Sequence, residues 1–211
     1  MVSASDGLDG PPEFSWVAAV YESEKDWRPL GAAVVLDSDR ILTCGHVISD
    51  NGVKHTELWA AFPMVTNRRR RIEEIEIDYN PPVVDVAVLT LAESVPLGVT
   101  AAPLQCQPPD KLKRGRWWAF GFPDRDPIGN SASGTVGEAL AYGWVRLDTN
   151  SDYILRAGFS GGGMWSEDFQ AVVGVVGQAH SNGDGRAITL YQAIESFPGC
   201  ELAKLTMDDW E

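Results

Sequence analysis

The stretch "YILRAGFSGGGMW", residues 153–165, places a single serine, Ser160, in a run of glycines directly after a phenylalanine. Glycine adopts backbone conformations closed to other residues, so these glycines allow consecutive N–H groups to converge on one point. Converging N–H donors are what the developing oxyanion of an acyl transfer requires. A tight surface turn uses the same glycines, so the stretch alone is compatible with both interpretations.

A serine hydroxyl becomes an effective nucleophile when a base takes its proton and a carboxylate orients that base. His46 lies in "ILTCGHVIS", at the end of an apolar strand and before a polar turn. His55 lies in the polar segment "NGVKHTE", which is typical of a solvated loop, and His180 ends the apolar run "VVGVVGQAH". Taken alone, each of the three histidines is more often structural than catalytic.

Asp85 is the informative carboxylate, because it lies inside "PPVVDVAVLTL" with apolar neighbours on both sides. Burying an unpaired carboxylate costs several kcal/mol, so this side chain requires a hydrogen-bond partner. A histidine N–H and the backbone amides at a strand end are both suitable donors, and the sequence alone does not choose between them.

Composition and charge exclude several classes of function. The 211 residues are 44% hydrophobic and carry a net charge of −13, which argues against nucleic acid as a partner. No run approaches the roughly 18 apolar residues of a membrane span, so no membrane interaction is predicted. The start "MVSASDGLDGPPEFSW" lacks a secretory signal, and three cysteines are an odd, sparse set typical of a reducing compartment. These features predict a cytoplasmic protein.

Short apolar or alternating runs such as "FSWVAAVY", "ILTCGHVI" and "VVDVAVLTL" are separated by turn signals such as "YNPP" and "SNGDG". So many short strands predict an all-β sandwich or a pair of barrels. Residues 91–115 hold four prolines and no clear strand, which indicates a boundary between two halves. A helix of any length is expected only in "QAIESFPGCELAKL", where Pro198 and Gly199 interrupt it.

Two further segments carry local predictions. The run "NRRRRIEE" is followed by more acidic residues, so it is interpreted as a solvated hairpin whose charges compensate one another. Trp117 and Trp118 are adjacent, so strand alternation predicts one core residue and one cleft or surface residue.

The motifs "LTCGHV", "DVAVLTL" and "GFSGGGMW" follow one another in the order His, Asp, Ser. With this order the chain resembles the trypsin-like (chymotrypsin-fold) serine peptidases, and in particular bacterial intracellular trypsin-like peptidase domains that lack disulfides. The likeness extends to "FGFP", "GTVG" and "AVVGVVGQA", so the chain can be aligned with this fold from about residue 14 to residue 194.

The resemblance implies two six-stranded antiparallel β-barrels with the active site in the cleft between them. It places the first barrel at about residues 14–95, the second at about 112–194 and a C-terminal helical segment at 195–211, all within one domain spanning residues 1–211. It also implies that His46 is the general base, that Asp85 orients it and that Ser160 attacks the substrate. The N–H groups of Gly158 and Ser160 would form the oxyanion hole.

The resemblance also implies a pocket for the residue that precedes the scissile bond. Its base would be Ile154, in place of the aspartate that selects arginine and lysine, and its wall would be formed by Val176, Gly177, Gln178 and Ala179. These residues predict a small or medium uncharged side chain, although Arg186 or His180 reaching into the pocket would favour an acidic one. No cofactor or metal ion is expected.

Phe159 stands where secreted relatives carry an aspartate that pairs with a new N-terminal amine. A phenylalanine cannot accept that pair. We therefore expect Phe159 to pack into the second barrel and to hold the serine turn by burial, without cleavage of the N-terminus.

Two alternative nucleophile assignments are weaker. Asp168 and His180 follow Ser160, although only 51 residues remain after this serine. "GFSGG" therefore also fits the G-x-S-x-G elbow of α/β-hydrolases, a motif in which an acid and then a histidine follow the serine. It also requires a helix directly after the serine, for which "GGGMW" is a poor start. Cys44, two residues before His46, is expected to pack in the core as a small hydrophobe.

The predicted function is that of a serine endopeptidase that cleaves peptide or protein substrates through an acyl-enzyme. The resemblance further implies the protease module of a larger bacterial signalling or defence protein, controlled by neighbouring regulatory domains or partner proteins. The alternative is a catalytically silent peptidase-fold module that binds peptides or partner proteins.

Overall fold

The structure is a computed structural model and describes residues 10–50 and 53–197. Its strands, in chain order, are β1 (Val17–Tyr21), β2 (Gly31–Val35), β3 (Arg40–Thr43), β4 (Ser49–Asp50), β5 (Val53–Lys54), β6 (Trp59–Phe62), β7 (Thr66–Asn80), β8 (Val84–Leu91), β9 (Arg116–Gly121), β10 (Asn130–Ala139), β11 (Trp144–Thr149), β12 (Gly163–Ser166), β13 (Ala171–Ala179) and β14 (Gly185–Thr189). Two short α-helices are α1 (Pro109–Leu112) and α2 (Leu190–Ser196).

The first six-stranded barrel closes in the order β1-β2-β3-β8-β7-β6, and every pairing is antiparallel. All residues of β1 and β2 are buried, because these strands have protein on both faces. Strands covered on both faces favour continuous apolar runs over alternation, as in "VAAVY" and "GAAVV". Strands β4 and β5 form a separate two-stranded pair beside this barrel.

The second barrel closes in the order β10-β11-β14-β13-β12-β9, again with antiparallel pairings. The predicted all-β fold of two six-stranded barrels is therefore confirmed. The segment between the barrels contacts both of them: the Ala102 N–H donates to Val35 O, and the Gln105 N–H donates to Val172 O.

Aromatic side chains fill the interface between the barrels. Trp16, just before β1, stacks on Trp165 of β12 at 6.4 Å between ring centroids and meets Trp118 of β9 edge-on at 6.4 Å. Phe14 adds a tilted contact to Trp118 at 5.4 Å. Such offset and edge-to-face geometries are favourable for aromatic pairs, so this cluster helps to fix one barrel against the other.

The prediction for the two adjacent tryptophans was wrong in one respect. Their side chains do point to opposite faces of β9, but Trp117 is 1% exposed and Trp118 is 7% exposed. Trp117 packs in the interior of the second barrel, and Trp118 packs in the cluster shared with the first barrel. The outer face of β9 is covered by the other barrel, so neither residue reaches the surface.

The arginine-rich run also differs from its prediction. It lies on β7, which forms antiparallel hairpins with β6 and with β8, so a hairpin is present, but one of its arginines is bound to groups outside the run. The Arg69 guanidinium donates to Ser23 O at 2.8 Å and lies over the Tyr21 ring at 3.6 Å from the centroid. This arginine is therefore bound to the first barrel's own surface.

Helix α2 ends at Ser196, before Pro198, and the predicted C-terminal segment 195–211 lies outside the described residues beyond Phe197. No helix in the described ranges 10–50 and 53–197 is long and apolar enough to cross a membrane.

Candidate active site

His46 and Asp85 meet because their elements are neighbours in the first barrel. His46 lies in a 3₁₀ turn, Gly45–Val47, directly after β3, and Asp85 lies at the start of β8, which pairs with β3. The His46 Nδ1 and Asp85 Oδ2 atoms are 2.5 Å apart. The backbone N–H of His46 also donates to Asp85 Oδ1 at 2.9 Å.

The Asp85 carboxylate is 5% exposed, and both of its oxygens have partners on His46. The two kinds of donor that the sequence left open, a histidine ring N–H and a backbone amide, are therefore both present. Gly45 leaves room for this contact, since a Cβ there would lie 3.1 Å from Asp85 Oδ1. The arrangement fixes the ring orientation and leaves Nε2 as the ring nitrogen available to act as a base.

Ser160 belongs to the second barrel, in the turn before β12. Its carbonyl accepts the Ala32 N–H of the first barrel at 2.9 Å, and the next residue, Gly161, donates its N–H to Val176 O at 2.8 Å. The serine is thus held by backbone bonds to both barrels. Among the described residues its hydroxyl forms no hydrogen bond, so the hydroxyl is available to react.

The backbone N–H groups around the serine divide into bonded and free ones. Those of Phe159, Gly161 and Gly162 donate to carbonyl oxygens within the protein. Across the described residues, the N–H groups of Gly158 and Ser160 have no protein acceptor. The two free donors are therefore two residues apart, on a turn that the bonded N–H groups of Phe159, Gly161 and Gly162 hold in place. An oxyanion hole requires such an arrangement.

The conformation of Gly158 explains why this position carries no side chain. Its φ is +104°, and a Cβ there would lie 2.2 Å from Phe122 O. The Phe159 N–H donates to Arg156 O at 3.2 Å, as in a type II turn, whose third position requires a positive φ.

Phe159 is fully buried and packs in the interior of the second barrel with Val173 and Val176 of β13. Its ring lies 6.3 Å from that of Tyr153 between centroids. The expected burial of Phe159 in the second barrel is confirmed, and its role in holding the serine turn stays a prediction. A fully buried phenylalanine contributes roughly 1.5–3 kcal/mol, so this turn is stabilised without an ion pair.

His46, Asp85 and Ser160 line one cleft of about 350 Å³ between the barrels. Within the described part of the chain no hydrogen bond joins the Ser160 hydroxyl to His46. Catalytic hydrogen bonds are often long in the absence of substrate and tighten in the substrate complex. The ring of His46 is about one-third exposed, so it can reach a bound substrate.

The residues predicted for the substrate pocket divide into two groups. Gly177, Gln178 and Ala179 line the cleft, next to Ala157 and Ser160. Val176 is buried in the second-barrel interior and Ile154 lies next to Gly183, and neither is among the residues that line this cleft. The assignment of Ile154 and Val176 to the pocket stays a prediction.

The other two histidines lie on opposite sides of the site. His180 lines the main cleft, and its N–H donates to Asp184 O at 2.7 Å. His55 lines a second depression of about 310 Å³ that also reaches His46 and Ser160, and its Nδ1 lies 3.4 Å from Glu22 Oε1. A polypeptide can therefore occupy space on both sides of Ser160.

Cys44 is completely buried, and its thiol donates to Val176 O at 3.2 Å. Burial raises the pKa of this thiol well above its usual value, and the charge of Asp85 raises it further. Its thiol, a ring nitrogen of His46 and a carboxylate oxygen of Asp85 lie within 4.8 Å of one another. A metal ion requires the thiolate, and a raised pKa opposes it, so this cluster fits core packing better than metal binding.

Sequence reasoning missed one residue that supports the site. Trp144 of β11 donates its indole N–H to Val83 O at 3.0 Å, two residues before Asp85. Its ring occupies the space beside Gly177, where a Cβ would lie 2.4 Å from Trp144 Cζ3. The signal for this contact in the sequence was only a tryptophan and a distant glycine, which no local pattern connects.

Gly161 allows a close approach of the two barrels, and its substitution gives a direct test. Its φ is +81°, and a Cβ would lie 2.1 Å from Ala32 O. We expect Gly161→Ala to lower the unfolding temperature, because the strained φ alone costs roughly 1–3 kcal/mol and the backbone overlap adds to it. Reaction of Ser160 with a fluorophosphonate should be strongly slowed.

Gly98→Ala is the matched control. Gly98 has φ +93°, but a Cβ there meets only Val65 Cγ1 at 3.0 Å, so this variant isolates the cost of the backbone conformation. Equal unfolding temperatures and equal labelling rates for the two variants would contradict the proposed close contact at Gly161.

Comparison with solved structures shows the same fold at low sequence identity. Rv3671c from M. tuberculosis H37Rv is 18% identical, with 90% of this chain and 86% of that chain covered and a TM-score of 0.64. A Glu endopeptidase in complex with MPD is 16% identical, with 91% and 92% covered and a TM-score of 0.70. Human heparin binding protein is 15% identical, with 90% and 93% covered and a TM-score of 0.72.

No curated protein matches the sequence significantly. A family model described as a trypsin-like peptidase domain matches residues 31–175, which is more than half of the chain and includes His46, Asp85 and Ser160. Together with the two antiparallel six-stranded barrels, this match establishes that the chain belongs to the trypsin-like peptidase family.

Proposed function

We propose that this protein is a serine endopeptidase that hydrolyses peptide bonds through an acyl-enzyme, with His46, Asp85 and Ser160 as its catalytic triad. The observation that carries the proposal is the cleft itself: it brings a paired His46–Asp85 from one barrel to Ser160 from the other. A peptidase fold implies a peptide or protein substrate.

In the proposed mechanism, Ser160 Oγ attacks the carbonyl carbon of the scissile peptide bond as His46 Nε2 takes its proton. The oxyanion that forms accepts hydrogen bonds from the free N–H groups of Gly158 and Ser160. His46 then donates the proton to the leaving amine, which gives the acyl-enzyme. Water, deprotonated by His46, attacks the ester carbonyl and releases Ser160.

Asp85 takes no part in the proton transfer itself. Its two oxygens accept the ring N–H and the backbone N–H of His46, so it keeps the ring oriented and stabilises the imidazolium that forms. Because the carboxylate is buried, little solvent screens this attraction.

The pocket residues support a further expectation about the substrate. Within the described cleft lining no carboxylate other than Asp85 is present, and Asp85 is already bound to His46. Gly177 and Ala179 contribute small neutral surfaces. In a positional peptide library we expect a small or medium uncharged residue before the scissile bond.

The library experiment tests the proposed function directly. Cleavage by the wild-type chain, blocked by prior fluorophosphonate treatment, is the expected result. Strong selection for arginine or lysine before the scissile bond would contradict the assignment of Ile154 and the neutral wall. Absence of cleavage together with absence of labelling would instead favour the alternative, a silent module that binds peptides or partner proteins.

We also propose that the chain acts in the bacterial cytoplasm as the protease module of a larger signalling or defence protein. Support for this part comes from the motif likeness to bacterial intracellular domains and from the burial of Phe159, which stabilises the serine turn without a new N-terminal amine. Control would then come from neighbouring domains or partners acting on the turn.

A further inference from the structure

A cavity of about 220 Å³ adjoins the active cleft and shares Gln178 with it. Pro82 closes it on the side of the first barrel, and Leu140 and Trp144 contribute apolar surface from the second barrel. Ser160 is not part of its lining, so the cavity lies beside the reacting atoms rather than beneath them. A polypeptide bound at Ser160 can reach it only with a residue away from the scissile bond.

Arg186 is the only charged residue in the described lining of this cavity. It lies on β14 directly opposite Gln178 of β13 on one side and Arg146 of β11 on the other. Residues directly opposite on paired strands share a face of the sheet, so the two arginines are neighbours. Like charges in this arrangement repel each other unless an anion is present.

One of these two arginines has a carboxylate partner in the structure, and the other does not. Arg146 is bound by both oxygens of Asp148, at 2.6 and 3.0 Å. The nearby Asp184 carboxylate is occupied by Thr149 N–H at 2.9 Å and by the Asn182 amide at 2.8 Å. Within the described ranges Arg186 forms no ion pair. Its guanidinium is therefore available to an anion that enters the cavity.

Tyr142 lines the same cavity in an unusual backbone conformation. It has φ +60° in the tight turn between β10 and β11, a region that non-glycine residues seldom occupy, and its side chain is 57% exposed. A large aromatic residue kept in a strained conformation next to a binding cavity is a pattern associated with ligand contact. Its ring provides an apolar surface beside the Arg186 cation.

We propose that this cavity, lined by Gln178, Arg186, Tyr142 and their apolar neighbours, binds an aspartate or glutamate side chain of the substrate at a position not adjacent to the scissile bond. The inference rests on the proposed peptidase function and adds a substrate class to it. Arg186 donates charge-assisted, bidentate hydrogen bonds to the carboxylate, and Tyr142 covers its methylene groups. The enzyme thereby selects acidic segments of polypeptides.

The test measures kcat/KM for matched peptides that carry Glu or Gln at each position in turn around a fixed cleavage site. For the wild-type chain we expect one position, not next to the scissile bond, at which Glu is preferred over Gln by about tenfold. Arg186→Gln should reduce this ratio to about one, and Arg186→Glu should shift the preference to Lys. Each ratio is taken within one variant, so changes in overall activity cancel.

Arg71→Gln, which removes an exposed arginine from β7 of the first barrel, is the control and should keep the wild-type ratio. Cleavage without any acidic preference, or a preference that survives in Arg186→Gln, would overturn the assignment while leaving the peptidase function intact. A chain that neither cleaves peptides nor reacts with a fluorophosphonate would overturn both.

Discussion

The Ser160→Ala variant is expected to lose peptide hydrolysis by a factor on the order of 10⁶, because the triad acts as a unit and the nucleophile has no substitute. Cys44, the nearest alternative nucleophile, is buried and has a raised thiol pKa. The measurement is kcat/KM on a peptide that the wild-type chain cleaves.

Stability provides the control for this variant. The bonds that hold Ser160 in place come from its carbonyl, which accepts the Ala32 N–H at 2.9 Å, and not from its hydroxyl. Ser160→Ala should therefore unfold at nearly the wild-type temperature. Turnover within about tenfold of wild type in a folded Ser160→Ala protein would end the assignment of Ser160 as nucleophile.

Asp85→Asn is expected to lower kcat on the order of 10⁴-fold, which is the usual effect of replacing the aspartate of a Ser-His-Asp triad by asparagine. An asparagine side chain has one oxygen acceptor, whereas the carboxylate accepts two N–H groups of His46, one at each oxygen. The asparagine amide therefore either loses one of these bonds or forces the ring into the wrong tautomer. Binding of substrate should change much less than kcat.

The matched control is Asp110→Asn, which makes the same chemical change at an exposed carboxylate in α1. It should retain full activity. A kcat for Asp85→Asn equal to that of Asp110→Asn would mean that Asp85 is a structural carboxylate only.

The all-β class could be predicted from sequence because the strands are short, apolar and separated by strong turn signals, but the choice of two barrels over a sandwich came from the resemblance to the trypsin-like peptidases. The candidate triad could be proposed because three recognisable motifs, which contain His46, Asp85 and Ser160, follow one another in the order of the trypsin-like peptidases. Asp85 illustrates the reasoning: a carboxylate between apolar residues requires a partner, and the structure supplies two N–H groups of His46.

Features that depend on the packing of one barrel against the other could not be predicted. Strand alternation correctly placed Trp117 and Trp118 on opposite faces of β9, but nothing local showed that the first barrel covers the outer face. Charge patterning treated the arginine run as solvated, whereas Arg69 binds carbonyl oxygens and a tyrosine ring more than 40 positions away in sequence.

The surroundings of the proposed triad also include contacts that local sequence patterns could not predict. Trp144 packs on Gly177 and donates to Val83 O, which joins three distant segments of the chain. The resemblance implied the N–H groups of Gly158 and Ser160 as oxyanion donors, but whether these groups are free depends on the bonds that the neighbouring residues make with Arg156 and Val176. These contacts between distant segments are set by the tertiary structure, and no periodic pattern in the sequence indicates them.

The most direct test of the triad is reaction of the intact chain with a fluorophosphonate, followed by mass spectrometry of the labelled peptide. We expect one covalent phosphonyl group on Ser160 in the wild-type chain, and strongly slowed labelling in His46→Ala, which lacks the base. Labelling at another residue, or equally fast labelling of His46→Ala and wild type, would contradict it.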